Sequence, residues 1–420
     1  MINFYSTEDF IQMNILVVNA GSSSLKYKLI DTETDIVSAK GICERIGGEG
    51  ARITHKQLLK DIKVVKEAPM KDHSDAMKLV VDALTDKEIG CIADMNEIQA
   101  IGHRVVHGGA YFSGSILMTE EVLAKLELCK AFAPLHTVAH LMGIKGCLET
   151  MPDKPQVLVF DTAFHQTMAP EAYMYALPYE YYEKYGIRRY GAHGTSHRFV
   201  SAEMAKLLDK PVEETKIVTC HIGNGSSISA VKGGKVMDTS MGFTPLAGVE
   251  MGTRCGDIDP AIVTYIMEAE NLSTAEMDAL MNKKSGFLGI SGFSSDSRDL
   301  EDAIADGPSN PNYERANLAV NILTHHIKKY IGSYAAIMNG LDAVVFTAGI
   351  GENNPHLREL VCSNMEYFGI DFDKEANDAA PHVSENTKIS KDGSKVAVYV
   401  LPTNEELVIA KDTAAIVAAL

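Results

Sequence analysis

The sequence predicts an α/β protein of two domains, and three observations carry that expectation. At 420 residues the chain exceeds what a single hydrophobic core holds together. Apolar strand-like runs alternate with helix-like stretches in both halves, which favours a parallel or mixed sheet with helices packed on its faces. The third observation is a pattern that occurs twice, about two hundred positions apart. Near the start, the apolar run 15–18 breaks into Asn19-Ala20-Gly21-Ser22-Ser23-Ser24 and resumes through Leu25, Tyr27 and Leu29. In the middle, the run 217–220 breaks into His221-Ile222-Gly223-Asn224-Gly225-Ser226-Ser227 and resumes through Ile228, Ala230 and Val231. Each copy reads as strand, tight Gly/Ser turn, strand: a hairpin whose loop donors and hydroxyls converge on an anion. One Gly/Ser turn says little. Two predict related domains facing each other across a nucleotide.

The remaining elements follow in order. Residues 76–85 read as a helix and 100–106 as a buried strand ending in Arg104-Val105-Val106-His107-Gly108-Gly109. Residues 119–130 and 138–150 read as helices, and 156–160 as a short apolar strand closed by Asp161. In the second half, 196–208 is a helix whose start is marked by Thr195 and Ser196. After the second hairpin come a loop over 244–260, a helix over 261–268 and a long helical stretch over 312–338. A buried strand at 343–347 opens into Ala348-Gly349-Ile350-Gly351-Glu352-Asn353. A strand at 396–401, the turn Pro402-Thr403-Asn404 and a closing helix over 405–420 complete the chain. The polar stretch 373–394 reads as surface loops. The domain boundary is expected just after Asp161, giving residues 1–161 plus 407–420 as one domain and 162–406 as the other.

Composition narrows the function. The chain is 46% hydrophobic and 23% charged, as soluble globular proteins are. A net charge of −17 argues against nucleic acid or an anionic membrane as partner, and any bound anion must be held by local Arg, Lys and metal charge. The seven cysteines are scattered without a CxxC pair, which reads as reduced cytoplasmic thiols rather than disulfides or a zinc site. No stretch has the length and apolarity of a membrane span. Residues 1–12 carry no signal-peptide design and read as a short extension, with Met13 as an alternative start.

Strand ends are where open α/β sheets place ligands, and the polar and glycine residues there include Asn19, Ser22, Ser24, Lys26, Arg104, Asp161, Asn224, Arg254, Gly349, Gly351 and Glu405. Carboxylates for Mg²⁺, arginines for oxygens in transfer and Gly/Ser loops for phosphates make up the equipment for phosphoryl transfer.

At these positions the chain resembles the acetate kinase family. The resemblance rests on "NAGSSSLKYKL", "GHRVVHGG", "FDTAFHQTM", "RRYGAHGTSHR", "CHIGNGSS", "MGTRCGDIDP", "FTAGIGEN" and "PTNEE", eight blocks in order along nearly the whole chain. It implies two ribonuclease-H-like domains around an ATP cleft, a homodimer, Mg²⁺ (with Mn²⁺ as an alternative) and transfer between ATP and acetate to give acetyl phosphate and ADP. It further implies roles. Arg104 would pair with the acetate carboxylate, and Arg254 and His193 would contact the phosphoryl group in flight. Asn19, Asp161 and Glu405 would orient the metal, with Lys26, Ser22 and Ser24 at the phosphates. The nucleotide would be held by His221, Ile222, Gly223, Asn224 and Gly225, by Asp296, Ser297 and Arg298, and by Gly349, Ile350, Gly351, Glu352 and Asn353. Val106, Leu135 and Pro245 would line the acyl pocket together with Ala192, where some members have Phe. Ala247 and Cys255 also depart from the Glu and Ser of many members. The small Ala192 leaves propionate or butyrate as a rival substrate. A nucleotide-gated binding protein is the rival of another class, and Arg104 and Arg254 argue against it because they call for an anionic acceptor.

Overall fold

The computed structural model describes residues 12–420, apart from the side chains of Pro134 and Leu135. The expected N-terminal extension lies, up to Ile11, outside the described residues. The chain divides into two compact units, Met1–Ala163 with Asn404–Leu420, and Phe164–Thr403.

The first unit is built on eight strands: β1 (Asn14–Gly21), β2 (Ser24–Asp31), β3 (Val37–Glu44), β4 (Arg52–Gln57), β5 (Ile62–Glu67), β6 (Ala100–Val105), β7 (Ile116–Leu117) and β8 (Gln156–Phe160). They form one sheet in the order β5-β4-β3-β2-β1-β6-β8-β7. The β1–β5 strands pair antiparallel, whereas β1, β6 and β8 run parallel. One face buries Leu16, Val18, Leu25, Tyr27 and Leu29 with Ala76, Met77, Val80 and Leu84 of the helix His73–Thr85. That helix begins two residues after Lys71, where the Asp72 carboxylate accepts from the amides of Ser74 and Asp75. The helix Pro134–Thr150 approaches β1 closely: a Cβ on Gly143 would stand 2.5 Å from that of Ala20. The closing helix, Glu405–Val417, packs over β6 and β1.

The second unit has β9 (Lys216–Ile222), β10 (Ser226–Lys232), β11 (Lys235–Thr239), β12 (Ala343–Thr347), β13 (Thr387–Lys388) and β14 (Ala397–Val400), in the order β11-β10-β9-β12-β14-β13. β9, β12 and β14 are parallel; β9, β10 and β11 form antiparallel hairpins. The long helix Tyr313–Met338 buries Ala316, Ala319, Leu323, Ile327, Ile331 and Tyr334 against this sheet, the i, i+3/i+4 stripe of an amphipathic helix. The run β11-β10-β9-β12-β14 repeats the arrangement of β3-β2-β1-β6-β8, two successive hairpins followed by two parallel strands. The fold is α/β with two ribonuclease-H-like sheets, and the two Gly/Ser hairpins occupy equivalent places in them.

Several bounds differ from expectation for local reasons. The helix expected from 196 starts at Gly194, because His193 caps it in the left-handed conformation (φ 59°) and not through a hydroxyl. The polar stretch 373–394 holds a short helix, Lys374–Asp378, and β13. Its Asn377 is buried, with its side-chain oxygen accepting from Arg358 Nε at 2.8 Å. The turn at Asp296 is a helix start, Asp296 capping Ser297–Ala305 through the Arg298 amide.

Candidate active site

In the first unit, the parallel strands β6 and β8 end side by side, and the Asp161 amide donates to the Val105 carbonyl at 2.9 Å. This brings Arg104 and Asp161 into a two-point pair, Nε to Oδ1 at 3.2 Å and Nη2 to Oδ2 at 2.7 Å. Glu405, in the first turn of the closing helix, lies 3.8 Å from Arg104 Nε. The Asp161 side chain is 1% exposed, while Arg104 keeps 24% of its side chain open. The Asp161 charge, aided by Glu405, raises the Arg104 guanidinium above its ordinary value. Beside it, His140 Nε2 accepts from the Val106 amide at 3.2 Å. Burial, then the Arg104 charge, push His140 down to about 3, so this ring stays neutral at physiological pH. Asn19 and Lys26 sit opposite each other in the β1–β2 register and share a face. Gly21 closes the hairpin, where a Cβ would meet Ser24 Oγ at 2.8 Å. Leu135 lies among the side chains not described, and Val106 is half-buried.

In the second unit, the loop between β9 and β10 brings Gly223, Asn224 and Gly225 beside two catalytic candidates. A Cβ on Gly225 would stand 3.4 Å from Arg254 Nη2 and 3.7 Å from His193 Nε2, so the bare backbone faces both. Arg254 donates to the Pro245 carbonyl at 2.9 Å and to Met251 Sδ at 3.4 Å. No carboxylate pairs with it among the described residues, and burial alone lowers its pKa. A desolvated guanidinium without a counter-ion is a site for an anion. Gly252 lets Asn224 pack closely here, because a Cβ there would lie 1.8 Å from Asn224 Oδ1.

The left-handed backbone of His193 aims its ring at β10. Its Nδ1 bonds Ser227 Oγ at 2.8 Å; Ser227 Oγ bonds His197 Nε2 at 2.7 Å; His197 Nδ1 bonds Thr219 Oγ1 at 2.7 Å. Thr219 Oγ1 in turn donates to the Ser229 carbonyl at 3.4 Å. Fully buried, His197 is pushed well below its ordinary value and is a neutral relay. The His221 ring stacks on His193 with centroids 4.1 Å apart, and its Nδ1 bonds Ser196 Oγ at 2.8 Å, which bonds Thr403 Oγ1 at 2.8 Å. Sequence reading missed His197, Ser227, Thr219 and Ser196 as a network. The signal was present in the four-residue spacing of His193 and His197 across the start of the helix.

The nucleotide candidates divide. Gly349 faces open space, with no heavy atom within 4 Å of an added Cβ, and Ala348 before it holds φ 67°. Glu352 spends its carboxylate on the chain itself, accepting from the Ala348 amide at 2.8 Å and the Thr403 amide at 3.1 Å. Asn353 bonds the Gly349 carbonyl at 2.8 Å, and Ile350 and Gly351 are buried. Arg298, 83% exposed, folds back on Asp296 at 2.6 Å. Ala192 is buried against Met241 and Met251.

The model of the acetokinase family matches residues 14–411. The chain belongs to the acetokinase family. Among acetokinase relatives, the acetate kinase of Thermoanaerobacterium thermosaccharolyticum is 56% identical over 408 residues, 97% of this chain and 100% of that one. The crystal structure of Porphyromonas gingivalis acetate kinase matches with a TM-score of 0.91 and 48% identity, covering 96% of this chain and 99% of that one. A propionate kinase from Francisella tularensis matches with a TM-score of 0.86 and 42% identity, over 96% and 99% of the two chains. Within this acetokinase, the described residues contain no helix long and apolar enough to cross a membrane and no group of three or more His, Cys, Asp or Glu poised to hold a metal.

Proposed function

We propose that the protein is an acetate kinase, transferring the γ-phosphoryl group of ATP to acetate and, in reverse, that of acetyl phosphate to ADP. The observation that carries this reading is the full-length identity with acetate kinases, in a chain that retains Arg104, Asp161, His193, Arg254 and Glu405. Residues 1–161 with 407–420 form one ribonuclease-H-like domain and 162–406 the other; the division into two compact units supports this.

Acetate is ionised at neutral pH, so the attacking oxygen needs no proton removed. One carboxylate oxygen forms the bond to the γ-phosphorus while the bond from that phosphorus to the bridging oxygen of ADP breaks, its electrons leaving with ADP. The barrier to meeting is repulsion between anions, which cations relieve. Arg104 orients the acceptor carboxylate with the donors that its pair with Asp161 leaves over; that two-point pair supports this by fixing the guanidinium plane. Arg254 and His193 stabilise charge on the equatorial phosphoryl oxygens. Lys26, Ser22 and Ser24 lie at the phosphates, and the loops at 221–225, 296–298 and 349–353 hold the nucleotide. Val106, half-buried two residues after Arg104, bounds the acyl group.

Asn19, Asp161 and Glu405 form an all-oxygen donor set, two carboxylates of which share Arg104. Such a set fits Mg²⁺, or Mn²⁺, held by one or two carboxylates with water and phosphates completing its shell. When bound, the metal neutralises phosphate charge; Asp161 and Glu405 position it and do not act as bases.

The protein acts in the cytoplasm as a homodimer. Reduced thiols at all seven cysteines support the compartment. The helix Pro260–Glu270 supports the dimer: it buries no residue within the chain and exposes Ile262 at 43% and Tyr265 at 73%, a face suited to a second copy. Tyr265→Glu should yield monomers in sedimentation. A second reading, propionate as the preferred acceptor, is favoured by the likeness to the Francisella propionate kinase. One methylene changes such a pocket by only about 1–3 kcal/mol. Turnover of acetate, propionate and butyrate at matched concentrations, with acyl phosphate trapped as hydroxamate, separates the two. Hydrolysis of ATP without acyl phosphate would refute both.

A further inference from the structure

We propose that the open face of the first unit's sheet carries a binding site for an oligophosphate chain, built from Lys28, Lys40, Lys56 and Lys63. The register puts Lys28 opposite Lys40, Lys40 opposite Lys56, and Lys56 opposite Lys63, one transverse row across β2, β3, β4 and β5. Their neighbours Leu29, Ala39, His55 and Gln57 turn to the other face and are buried, so the four ammonium groups share the open one. Like charges directly opposite on a sheet are destabilising. Here three such juxtapositions persist in a chain whose net charge is −17. One acid meets the row, Glu406 at 3.1 Å from Lys28. Lys40, Lys56 and Lys63 make no ion pair among the described residues.

The face is also concave. A cavity of ≈ 260 Å³ is lined by Lys26, Lys28, Lys40 and Lys56, with Ile42 and Thr54 between them and Glu406 at its edge. That volume suits a few phosphoryl groups and not a folded partner. Strands about 4.8 Å apart spread the row over roughly 14 Å, which matches a linear polyanion and exceeds a single phosphate. Ammonium groups, compact and with three rotatable donors, suit phosphate oxygens that change direction along a chain. The occupant is therefore an oligophosphate of three or more phosphoryl groups, inorganic or the tail of a nucleoside triphosphate.

Asn19 and Lys26 border the same cavity, but Lys40, Lys56 and Lys63 have no part in the proposed phosphoryl transfer, so the site stands or falls apart from that activity. The test is calorimetric titration of inorganic tripolyphosphate into the full chain, wild type and Lys40→Gln/Lys56→Gln, at several salt concentrations. The expected result is binding that the double variant weakens at least tenfold and that falls steeply with salt. Acetyl phosphate formation without tripolyphosphate should be unchanged in the variant, and its melting temperature not lowered, because repulsion is removed. A parallel titration with ATP fixes the source: an equivalent lost in the variant supports a nucleotide tail, and an equivalent count unchanged beside lost tripolyphosphate binding supports the inorganic chain. Equal tripolyphosphate affinity in both proteins, no binding to the wild type, or inorganic phosphate bound as tightly as tripolyphosphate overturns the proposal.

Discussion

His197 offers the sharpest test of how the second unit prepares His193. Its two ring nitrogens are each 2.7 Å from a hydroxyl, Thr219 Oγ1 and Ser227 Oγ, in a fully buried setting. The direction of the chain is set at its far end. Thr219 gives its hydrogen to the Ser229 carbonyl, so it accepts from His197 Nδ1–H. His197 is neutral, so its Nε2 accepts from Ser227, and Ser227 Oγ then accepts from His193 Nδ1–H. His193 is thereby held with its proton on Nδ1, and Nε2, the nitrogen facing Gly225, donates only in the imidazolium. Replacing His197 by Phe deprives two buried hydroxyls of a partner, a cost of about 2–6 kcal/mol at 1–3 kcal/mol each. It also frees Ser227 to donate to His193 Nδ1, which moves the neutral proton to Nε2. Long-range ¹⁵N–¹H spectra of ¹⁵N-histidine protein read the tautomer directly. His197→Gln, which can both donate and accept, should recover much of the stability. A neutral His193 already protonated on Nε2 in the wild type would refute the argument.

Other outcomes follow from single residues. Glu250 is 2% exposed, neither carboxyl oxygen has a partner among the described residues, and burial pushes it up to about 8. Between the ordinary carboxylate range and pH 8 the folded protein therefore holds a proton that the unfolded chain has released, and stability falls as pH rises through that window, by on the order of 4 kcal/mol. Glu250→Gln should flatten the fall and be the more stable protein at pH 8 in urea unfolding; a wild type equally stable at pH 5 and 8 refutes this. Arg104→Lys replaces a two-point grip by a point charge and should lower acetyl phosphate formation on the order of a hundredfold, with a raised KM for acetate. Asp161→Asn should lower the rate and also raise the Mg²⁺ concentration needed for half-activity; an unchanged metal response counts against the positioning role. Gly252→Ala must displace Asn224, whose Oδ1 lies 1.8 Å from the new Cβ, and should weaken ADP binding in calorimetry while Arg104-dependent acetate binding is spared.

What was legible in the sequence is what punctuation and apolar runs mark. Gly/Ser breaks between apolar runs located β1–β2 and β9–β10, and continuous apolar runs located β8 and β12. Strands β3, β4 and β5 were not read, because their buried face is carried by Ala39, Cys43, Ile53 and His55 while the other face carries lysines and Thr54, so no apolar run appears. The hydroxyls of Thr195 and Ser196 mark a later start than the true one at Gly194, because a histidine in a left-handed conformation leaves no cap signal in the sequence. The stretch 373–394 read as loop because its reason to fold is distant: the fully buried Arg358 is satisfied by the Asn377 side chain and the Ala380 carbonyl, partners no local pattern reveals.

The site shows the same division in its electrostatics. Both arginines were visible as chemistry-bearing residues, yet their opposite settings were not. Arg104 is compensated by a carboxylate with 1% exposure, and its charge is reinforced. Arg254 is desolvated, bonded to a carbonyl and a thioether, and its charge is disfavoured. An incoming anion thus relieves Arg254 outright. At Arg104 it must share a guanidinium already engaged through Nε and Nη2, using the donors those bonds leave over. An anion bound at Arg254 should accordingly give the larger gain in thermal stability. Acetate alone, meeting an arginine already paired, should stabilise the fold far less than ATP does.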